Sequence, residues 1–140
     1  MVKTEKTVLV VEDDPIIRDL VRLGFKRLDC RVIIARDGYE GLMILQSHRP
    51  TLILLDILLP HVNGLDILKF VTNDEELQKT PVVIMSALGY QEIVEKAMLM
   101  GAADFIVKPF KVDSFSDRML GILEKWPGEI IDQKSNTLSP

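Results

Sequence analysis

Five apolar runs of strand length recur along the chain, and this repetition restricts the fold more than any other feature. The runs are TVLVV at 7–11, RVIIA at 31–35, TLILLD at 51–56, PVVIMS at 81–86 and DFIVK at 104–108. They lack the alternation of apolar and polar residues that is typical of strands exposed on one face. They therefore predict strands that are covered on both faces.

The segments between these runs carry helix signals. Pro15 stands in the first turn of the first such segment, and Asp14 precedes it in the position of a cap. Alternating strands and helices are typical of a parallel sheet with right-handed crossovers. We predict an α/β fold with a doubly wound, five-stranded parallel sheet and helices on both faces. The apolar stripe of the first helix is predicted to consist of Ile16, Leu20, Leu23 and Leu28.

Length and composition predict a single domain. Hydrophobic residues make up 47% of the 140 residues and charged residues 27%, which is ordinary for a globular protein with one buried core. We place the domain at residues 6–126 and interpret residues 127–140 as a polar C-terminal tail or the start of a linker. The alternative for this tail is an ordered arm that packs through Ile130 and Ile131.

Composition disfavours several classes of function. A net charge of −4 and the lack of a basic run argue against direct nucleic-acid binding. The single cysteine, Cys30, excludes an internal disulfide and a multi-cysteine metal site, and it suits a reducing compartment. The sequence contains neither a segment typical of a signal peptide nor an apolar run long enough to span a membrane. We therefore expect a cytoplasmic protein without membrane contact.

Polar residues stand at the ends of four of the five predicted strands. Glu12 and Asp13 follow the first strand, and Asp56 ends the third. Ser86 ends the fourth strand and Lys108 ends the fifth. The carboxyl ends of parallel strands lie at one edge of the sheet, and ligands of such sheets bind there. We expect these side chains to form a common site.

Asp56 is the most informative of these residues. It lies in the otherwise apolar segment ILLDILLP, where an unpaired charge would be costly. Glu12, Asp13 and Lys108 are the partners available at the same edge. Three carboxylates predict a site for a hard divalent cation, and Mg²⁺ suits a few carboxylates completed by water and phosphate oxygens. Lys108 would neutralise the charge that remains.

Four segments resemble the signature segments of the response-regulator receiver domain of two-component signalling. They are VLVVEDDP at 8–15, LILLDILLPHVNGLDIL at 52–68, VVIMSA at 82–87 and GAADFIVKPF at 101–110. Their order and spacing match that family, and four segments in register are a specific signal. The resemblance implies a flavodoxin-like (βα)5 fold with strand order 2-1-3-4-5.

The resemblance implies a role for each matched residue. Asp56 resembles the phosphoacceptor. Glu12 and Asp13 resemble the acidic pair that holds Mg²⁺, or Mn²⁺ as a substitute, together with Asp56 and the backbone carbonyl of Leu58. The other matches are Lys108 at the position that pairs with the phosphoryl oxygens, Ser86 at the switch hydroxyl, Ala87 at the small position beside the phosphoryl group, Phe105 at the switch aromatic, and Pro109 after a cis peptide bond from Lys108.

The implied function is that of a phosphoacceptor in a phosphorelay. A sensor histidine kinase or a histidine phosphotransfer protein would supply the phosphoryl group to Asp56, and the only reactions would be the protein's own phosphorylation and dephosphorylation. Ser86 would then bind the phosphoryl group, and Phe105 would rotate from an exposed to a buried position. The face built from the fourth helix, fifth strand and fifth helix would change and contact an unidentified downstream protein.

Dimerisation through this face on phosphorylation stays open at the level of sequence. Asp104, Arg118 and Lys125 match part of the charged set of receivers that dimerise there. Met100, however, stands where an acid is expected.

The sequence also leaves other functions open. The chain could be a receiver fragment of a longer regulator or hybrid kinase, or a receiver-like binding module that is not phosphorylated. A hydrolase that works through an aspartyl phosphate is disfavoured, since such enzymes need a second catalytic acid shortly after the nucleophile. The residues that follow Asp56 are Ile57, Leu58 and Leu59.

Overall fold

The computed structural model describes residues 5–125, so the predicted tail at 127–140 lies outside the described residues. Within the described part, strands and helices alternate as the sequence predicts. The strands are β1 (Thr7–Val11), β2 (Arg31–Ala35), β3 (Leu52–Asp56), β4 (Val82–Ser86) and β5 (Asp104–Val107). The helices are α1 (Pro15–Lys26), α2 (Gly38–Leu45), α3 (Gly64–Asn73), α4 (Gln91–Leu99) and α5 (Val112–Lys125).

The strands form one parallel sheet in the order β2-β1-β3-β4-β5. The doubly wound, flavodoxin-like fold and its strand order are thus confirmed. Val10 of β1 pairs with Ile34 of β2 on one side and with Leu54 of β3 on the other. Strand order reverses at β1, so the carboxyl ends of β1 and β3 border the crevice in which sheets of this kind bind ligands.

The continuous apolar runs are explained by two separate hydrophobic clusters, one on each face of the sheet. Leu9 and Ile53 pack on the face covered by α2, α3 and α4, whereas Val10 and Leu54 pack on the face covered by α1 and α5. Successive strand residues point to opposite faces, so both must be apolar when both faces are covered. No helix within residues 5–125 has the length and apolar character needed to cross a membrane.

The buried face of α1 differs from the predicted stripe. Ile16 and Leu23 are 70% and 48% exposed, and the buried residues are Val21, Gly24 and Phe25. Leu28 does pack against the cluster between the sheet and α1 and α5, and Leu20 is half-buried, so the prediction is wrong for Ile16 and Leu23. The buried face of α1 is therefore rotated about the helix axis relative to the prediction.

Gly24 explains this rotation. A Cβ atom at Gly24 would lie 2.7 Å from the ring of Phe115 in α5, closer than side chains tolerate. The hydroxyl of Ser116 also donates a 3.0 Å hydrogen bond to the carbonyl oxygen of Gly24. The close approach of α5 requires a residue without a side chain on the inner face of α1, and a pattern of apolar residues does not reveal that requirement.

Candidate functional site

The acidic pair Glu12 and Asp13 follows β1 directly at the carboxyl edge of the sheet. Glu12 is fully buried, whereas Asp13 is exposed. The amide of Glu12 donates to the carbonyl oxygen of Ala35 at 3.0 Å, and its Oε2 accepts from the amide of Asp14 at 3.1 Å. Oδ1 of Asp14 accepts from the amide of Ile16 at 2.9 Å, which confirms Asp14 as the cap of α1. The turn from β1 into α1 thus presents two carboxylates to the crevice.

Asp56 is the last residue of β3 and is 5% exposed. Its Oδ1 accepts a hydrogen bond from the amide of Leu58 at 3.1 Å. Gly64, at the start of α3, packs so closely that a Cβ atom there would lie 2.0 Å from the carbonyl oxygen of Asp56. In the sequence, Gly64 follows Asn63 and has the appearance of an ordinary helix start. The structure adds that it allows α3 to lie against the backbone of Asp56.

The ammonium group of Lys108 lies between the buried carboxylates of Glu12 and Asp56 and contacts both. Its Nζ lies 2.7 Å from Oδ2 of Asp56 and 2.6 Å from Oε1 of Glu12, and its side chain is 13% exposed. The amide of Lys108 donates to the carbonyl oxygen of Ser86 at 2.8 Å, one step beyond the last residue of β5. The peptide bond between Lys108 and Pro109 is cis. The end of β5 therefore carries the ammonium group into the crevice between β1 and β3.

Burial and mutual contact shift the pKa values of two groups in this cluster. Burial raises the pKa of Glu12 above its usual value, and the nearby Lys108 only partly opposes this shift. For Lys108, burial alone would lower the pKa, but contacts with Asp56 and Glu12 outweigh burial and raise it overall. The ammonium therefore stays charged at neutral pH. One ammonium beside three carboxylates leaves an excess of negative charge that favours a further cation.

The carboxylates of Glu12, Asp13 and Asp56 form a ligand set suited to a metal ion. One oxygen atom from each lies within 4.8 Å of the others. Oε1 of Glu12 is buried, and its contact within residues 5–125 is the charged contact with the Lys108 ammonium at 2.6 Å. The buried carboxylate of Glu12, together with the carboxylates of Asp13 and Asp56, is a ligand set suited to a hard divalent cation such as Mg²⁺.

Ser86 lies at the end of β4 and is fully buried. Its hydroxyl oxygen accepts a hydrogen bond from the amide of Leu88 at 3.0 Å, which leaves the hydroxyl proton for a second acceptor. Ala87, the next residue, is exposed. The register pairs Ser86 with Val107, so Ser86 and Lys108 stand at the same edge on neighbouring strands.

Phe105 lies on β5 and is only 6% exposed. The expectation of an exposed ring before phosphorylation does not match this structure, in which the ring packs in the cluster on the side of α2, α3 and α4. Phe105 pairs with Ile84 of β4, and the two belong to the same covered face. Arg118 donates to the carbonyl oxygen of Phe105 at 2.9 Å and pairs with both carboxylate oxygens of Asp104 at 2.6 and 2.9 Å. These bonds fasten β5 to α5.

Arg18 is a site residue that the sequence reasoning missed. Its Nη1 donates to the carbonyl oxygens of Glu12 and Asp13, both at 3.1 Å. Long helical side chains point back toward the start of their helix, so a basic residue early in α1 can reach the preceding turn. The position of Arg18 early in α1 is the only feature of the sequence that could have indicated this contact. It is not specific, because many surface arginines occupy such positions.

Comparison with known proteins identifies the family. The family described as "Response regulator receiver domain" matches residues 8–119, which include β2 to β5 and all of β1 except Thr7. The chain belongs to this receiver family. The polar-differentiation response regulator DivK of Brucella anthropi is 34% identical to this receiver domain over 118 residues, which are 84% of this chain and 96% of DivK. The DNA-binding dual master transcriptional regulator RpaA of Synechocystis is 31% identical over 141 residues, 95% of this chain but only 58% of RpaA.

Solved structures of other receiver domains share the fold and include metal complexes. The receiver domain of sensor histidine kinase PA1611 from Pseudomonas aeruginosa, with magnesium coordinated in its active site cleft, has a TM-score of 0.75 at 26% identity over 89% of this chain and 99% of that one. The Mn²⁺-bound form of response regulator Rcp1 has a TM-score of 0.74 at 27% identity over 93% of this chain and 99% of that one. The acidic cluster of this receiver domain fits a metal site of the same kind.

Proposed function

We propose that this receiver domain accepts a phosphoryl group on Asp56 from the phosphohistidine of a sensor histidine kinase or of a histidine phosphotransfer protein. The observation that carries the proposal is the position of the Lys108 ammonium, in contact with both Asp56 and Glu12 at the edge of the sheet. Phosphoryl transfer depends mainly on positioning and charge neutralisation. Lys108 supplies a fixed positive charge at the residue that would receive the group.

Glu12, Asp13, Asp56 and the backbone carbonyl of Leu58 are the proposed ligands of Mg²⁺, for which Mn²⁺ can substitute. When bound, this ion neutralises negative charge on the phosphoryl oxygens and orients them. The proposal is supported by the cluster of three carboxylates and by the single ammonium, that of Lys108, which contacts two of them and leaves an excess of negative charge. The Mg²⁺ and Mn²⁺ complexes of two similar receiver domains agree with it.

In the proposed step, a carboxylate oxygen of Asp56 attacks the phosphorus atom of the phosphohistidine. The new P–O bond forms as the P–N bond breaks, and the electron pair of the broken bond stays on the imidazole nitrogen. Lys108 transfers part of its contact from Asp56 to an oxygen of the phosphoryl group. Later hydrolysis of the acyl phosphate regenerates Asp56, so these two reactions of its own side chain are the whole chemistry of the domain.

The proposed response begins at Ser86, whose hydroxyl proton is available to an oxygen of the phosphoryl group. This bond draws the loop after β4 inward, and the small side chain of Ala87 leaves room for the group. The structure has Phe105 in the buried position, and we propose that phosphorylation stabilises this position over an outward one. The face of α4, β5 and α5 then presents a changed surface.

That face is the proposed contact surface for a downstream protein in the cytoplasm. Tyr90, Leu99 and Val107 are 69%, 90% and 46% exposed in this part of the chain and offer apolar side chains for such a contact. A homodimer formed on phosphorylation is one form that such a contact can take. Because Asp104 and Arg118 already pair within the chain, a dimer that used their charges would have to reorganise this pair.

Intact mass spectrometry with acetyl phosphate and Mg²⁺ tests the proposal. We expect one added phosphoryl group on the wild type, none on Asp56→Asn, and none on the wild type in EDTA. Asp66→Asn, which changes an exposed acid on α3, is the matched control and should react like the wild type. A wild type that gains no phosphoryl group and binds no Mn²⁺ would instead indicate a receiver-like binding module. Transfer from a phosphorylated histidine phosphotransfer protein to wild type, but not to Asp56→Asn, tests the class of donor.

A further inference from the structure

We infer that Arg18 is a positioning residue for the cation site: its guanidinium holds the peptide groups of Glu12 and Asp13 and thereby fixes where the Asp13 carboxylate lies. The inference rests on the proposed function, because it concerns the cation that phosphorylation of Asp56 requires. Arg18 itself does not touch the cation or the phosphoryl group.

Arg18 binds three consecutive carbonyl oxygens of the turn between β1 and α1. The two hydrogens of its Nη1 point to the carbonyl oxygens of Glu12 and Asp13, each at a distance of 3.1 Å. Its backbone amide donates to the carbonyl oxygen of Asp14 at 3.0 Å. One residue of α1 thus satisfies every backbone acceptor of the acidic turn.

The position of the Asp13 carboxylate depends on the hydrogen bonds from Arg18 more than the position of the Glu12 carboxylate does. Glu12 is buried, and its carboxylate also accepts from the amide of Asp14. Asp13 is exposed, and within residues 5–125 no hydrogen bond restrains its carboxylate. Arg18 binds both peptide groups that flank the Asp13 side chain, through the carbonyl oxygens of Glu12 and Asp13. The second of these peptide groups is also restrained by the bond from the Asp14 amide to Oε2 of Glu12, so Arg18 and Glu12 together set the direction of the Asp13 side chain.

A purely electrostatic role for Arg18 predicts the opposite effect. A guanidinium beside a cation site repels the incoming ion, so removal of the charge alone would tighten binding. Removal of the hydrogen bonds would loosen the turn and weaken binding, as happens when groups that orient metal ligands are lost. The sign of the change in affinity therefore separates positioning from charge.

The test compares Mn²⁺ affinities of Arg18→Met, Arg18→Lys and Arg22→Met, from the electron paramagnetic resonance signal of free Mn²⁺. Arg18→Met removes both the charge and the donors, whereas Arg18→Lys keeps the charge on a shorter side chain without the Nη1 atom that contacts both carbonyl oxygens. Arg22 lies one turn further along α1, and its only ion pair with a residue in the described range 5–125 is with Asp19, at 3.9 Å, so Arg22→Met removes the same charge from the same helix. Lysine and methionine are good helix formers, and urea unfolding in EDTA identifies any variant whose fold is lost.

We expect the Mn²⁺ dissociation constant to rise roughly tenfold in both Arg18 variants and to stay near that of the wild type in Arg22→Met. Unchanged or tighter binding in Arg18→Met overturns the inference, and so does wild-type affinity in Arg18→Lys, which would show that the two Nη1 hydrogen bonds are dispensable. If the wild type binds no Mn²⁺, or if Asp13→Asn binds it as well as the wild type does, the proposed metal site itself fails and the inference falls with it.

Discussion

Oε1 of Glu12 lies 2.6 Å from the ammonium nitrogen of Lys108, in a carboxylate that is fully buried. The pair is not isolated, because the same ammonium contacts Asp56 at 2.7 Å. Burial nevertheless raises the pKa of Glu12, so the ion pair does not fully offset the loss of water around the carboxylate. The edge of the sheet holds a carboxylate whose charge opposes folding and is available to neutralise a cation.

Replacement of Glu12 by glutamine should therefore stabilise the protein in the absence of metal. The folded-state pKa of Glu12 is raised above 4.5, so its contribution to stability is present below that pH and is lost as the pH rises through the folded-state value. At neutral pH, Glu12→Gln should show a larger free energy of unfolding in urea with EDTA than the wild type. The difference should shrink as the pH falls toward 4.5.

Glu75→Gln, which changes an exposed glutamate, is the control and should leave the unfolding curve unchanged. In excess Mg²⁺ the order should reverse, because the wild type gains more from the ion than the variant does. A Glu12→Gln protein less stable than wild type in EDTA at neutral pH would show that the contact with Lys108 outweighs burial.

Lys108→Met should separate metal binding from phosphorylation. It removes a cation that competes for the oxygens of Glu12 and Asp56, so Mn²⁺ should bind more tightly than it does to the wild type. The same change removes a charge placed for the phosphoryl oxygens, so phosphorylation by acetyl phosphate should slow roughly a hundredfold. Lys111→Met, at an exposed lysine nearby, should match the wild type in both measurements. Phosphorylation of Lys108→Met at the wild-type rate would rule out this role.

Gly64→Ala should destabilise the protein and disturb the site. The new methyl group would lie 2.0 Å from the carbonyl oxygen of Asp56, so the backbone of β3 or α3 must move, at a cost of about 2 kcal/mol. Gly121→Ala is the matched control: it lies inside α5 with nothing within 4 Å of its Cβ position, and should stabilise by about 0.5–1 kcal/mol. Urea unfolding of both variants checks the pair. Equal effects of the two substitutions would contradict the close packing of α3 against Asp56.

Ser86→Ala should accept the phosphoryl group and fail to pass on the signal. The hydroxyl is the proposed donor to the phosphoryl group, and the methyl group of alanine provides no donor. Amide NMR spectra before and after acetyl phosphate should show shifts across α4, β5 and α5 in the wild type and much smaller ones in Ser86→Ala. Ser114→Ala, at an exposed serine of α5, should respond as the wild type does. Full shifts in Ser86→Ala would remove Ser86 from the response.

The sheet and its polar edge were predictable because each strand is a continuous apolar run that ends at a polar residue. Burial on both faces leaves little freedom in such runs, and the parallel topology brings Glu12, Asp56 and Lys108 together without further information. The family resemblance supplied the strand order.

Features that depend on the contact of one side chain with another element were not predictable. The rotation of α1 follows from the fit of Gly24 against Phe115, and Arg18 acts on carbonyl oxygens that every residue possesses. The buried position of Phe105 depends on the packing of its ring among side chains of several other elements, which the residue type alone does not specify. A pattern of residue types indicates which positions are buried and where turns occur. It does not indicate which side chains of different elements contact one another.

The backbone hydrogen bond from Lys108 to Ser86 sets the spacing of the two side chains proposed to meet the phosphoryl group. Helix α4 and its flanking loops lie between Ser86 and Lys108 in the sequence. They do not set the distance between the two residues, because the direct hydrogen bond between the neighbouring strands does. Insertions, deletions and substitutions in α4 and its flanking loops can therefore leave the distance between the Ser86 hydroxyl and the Lys108 ammonium unchanged. A change on the surface of α4 would therefore leave the geometry proposed to meet the phosphoryl group unchanged.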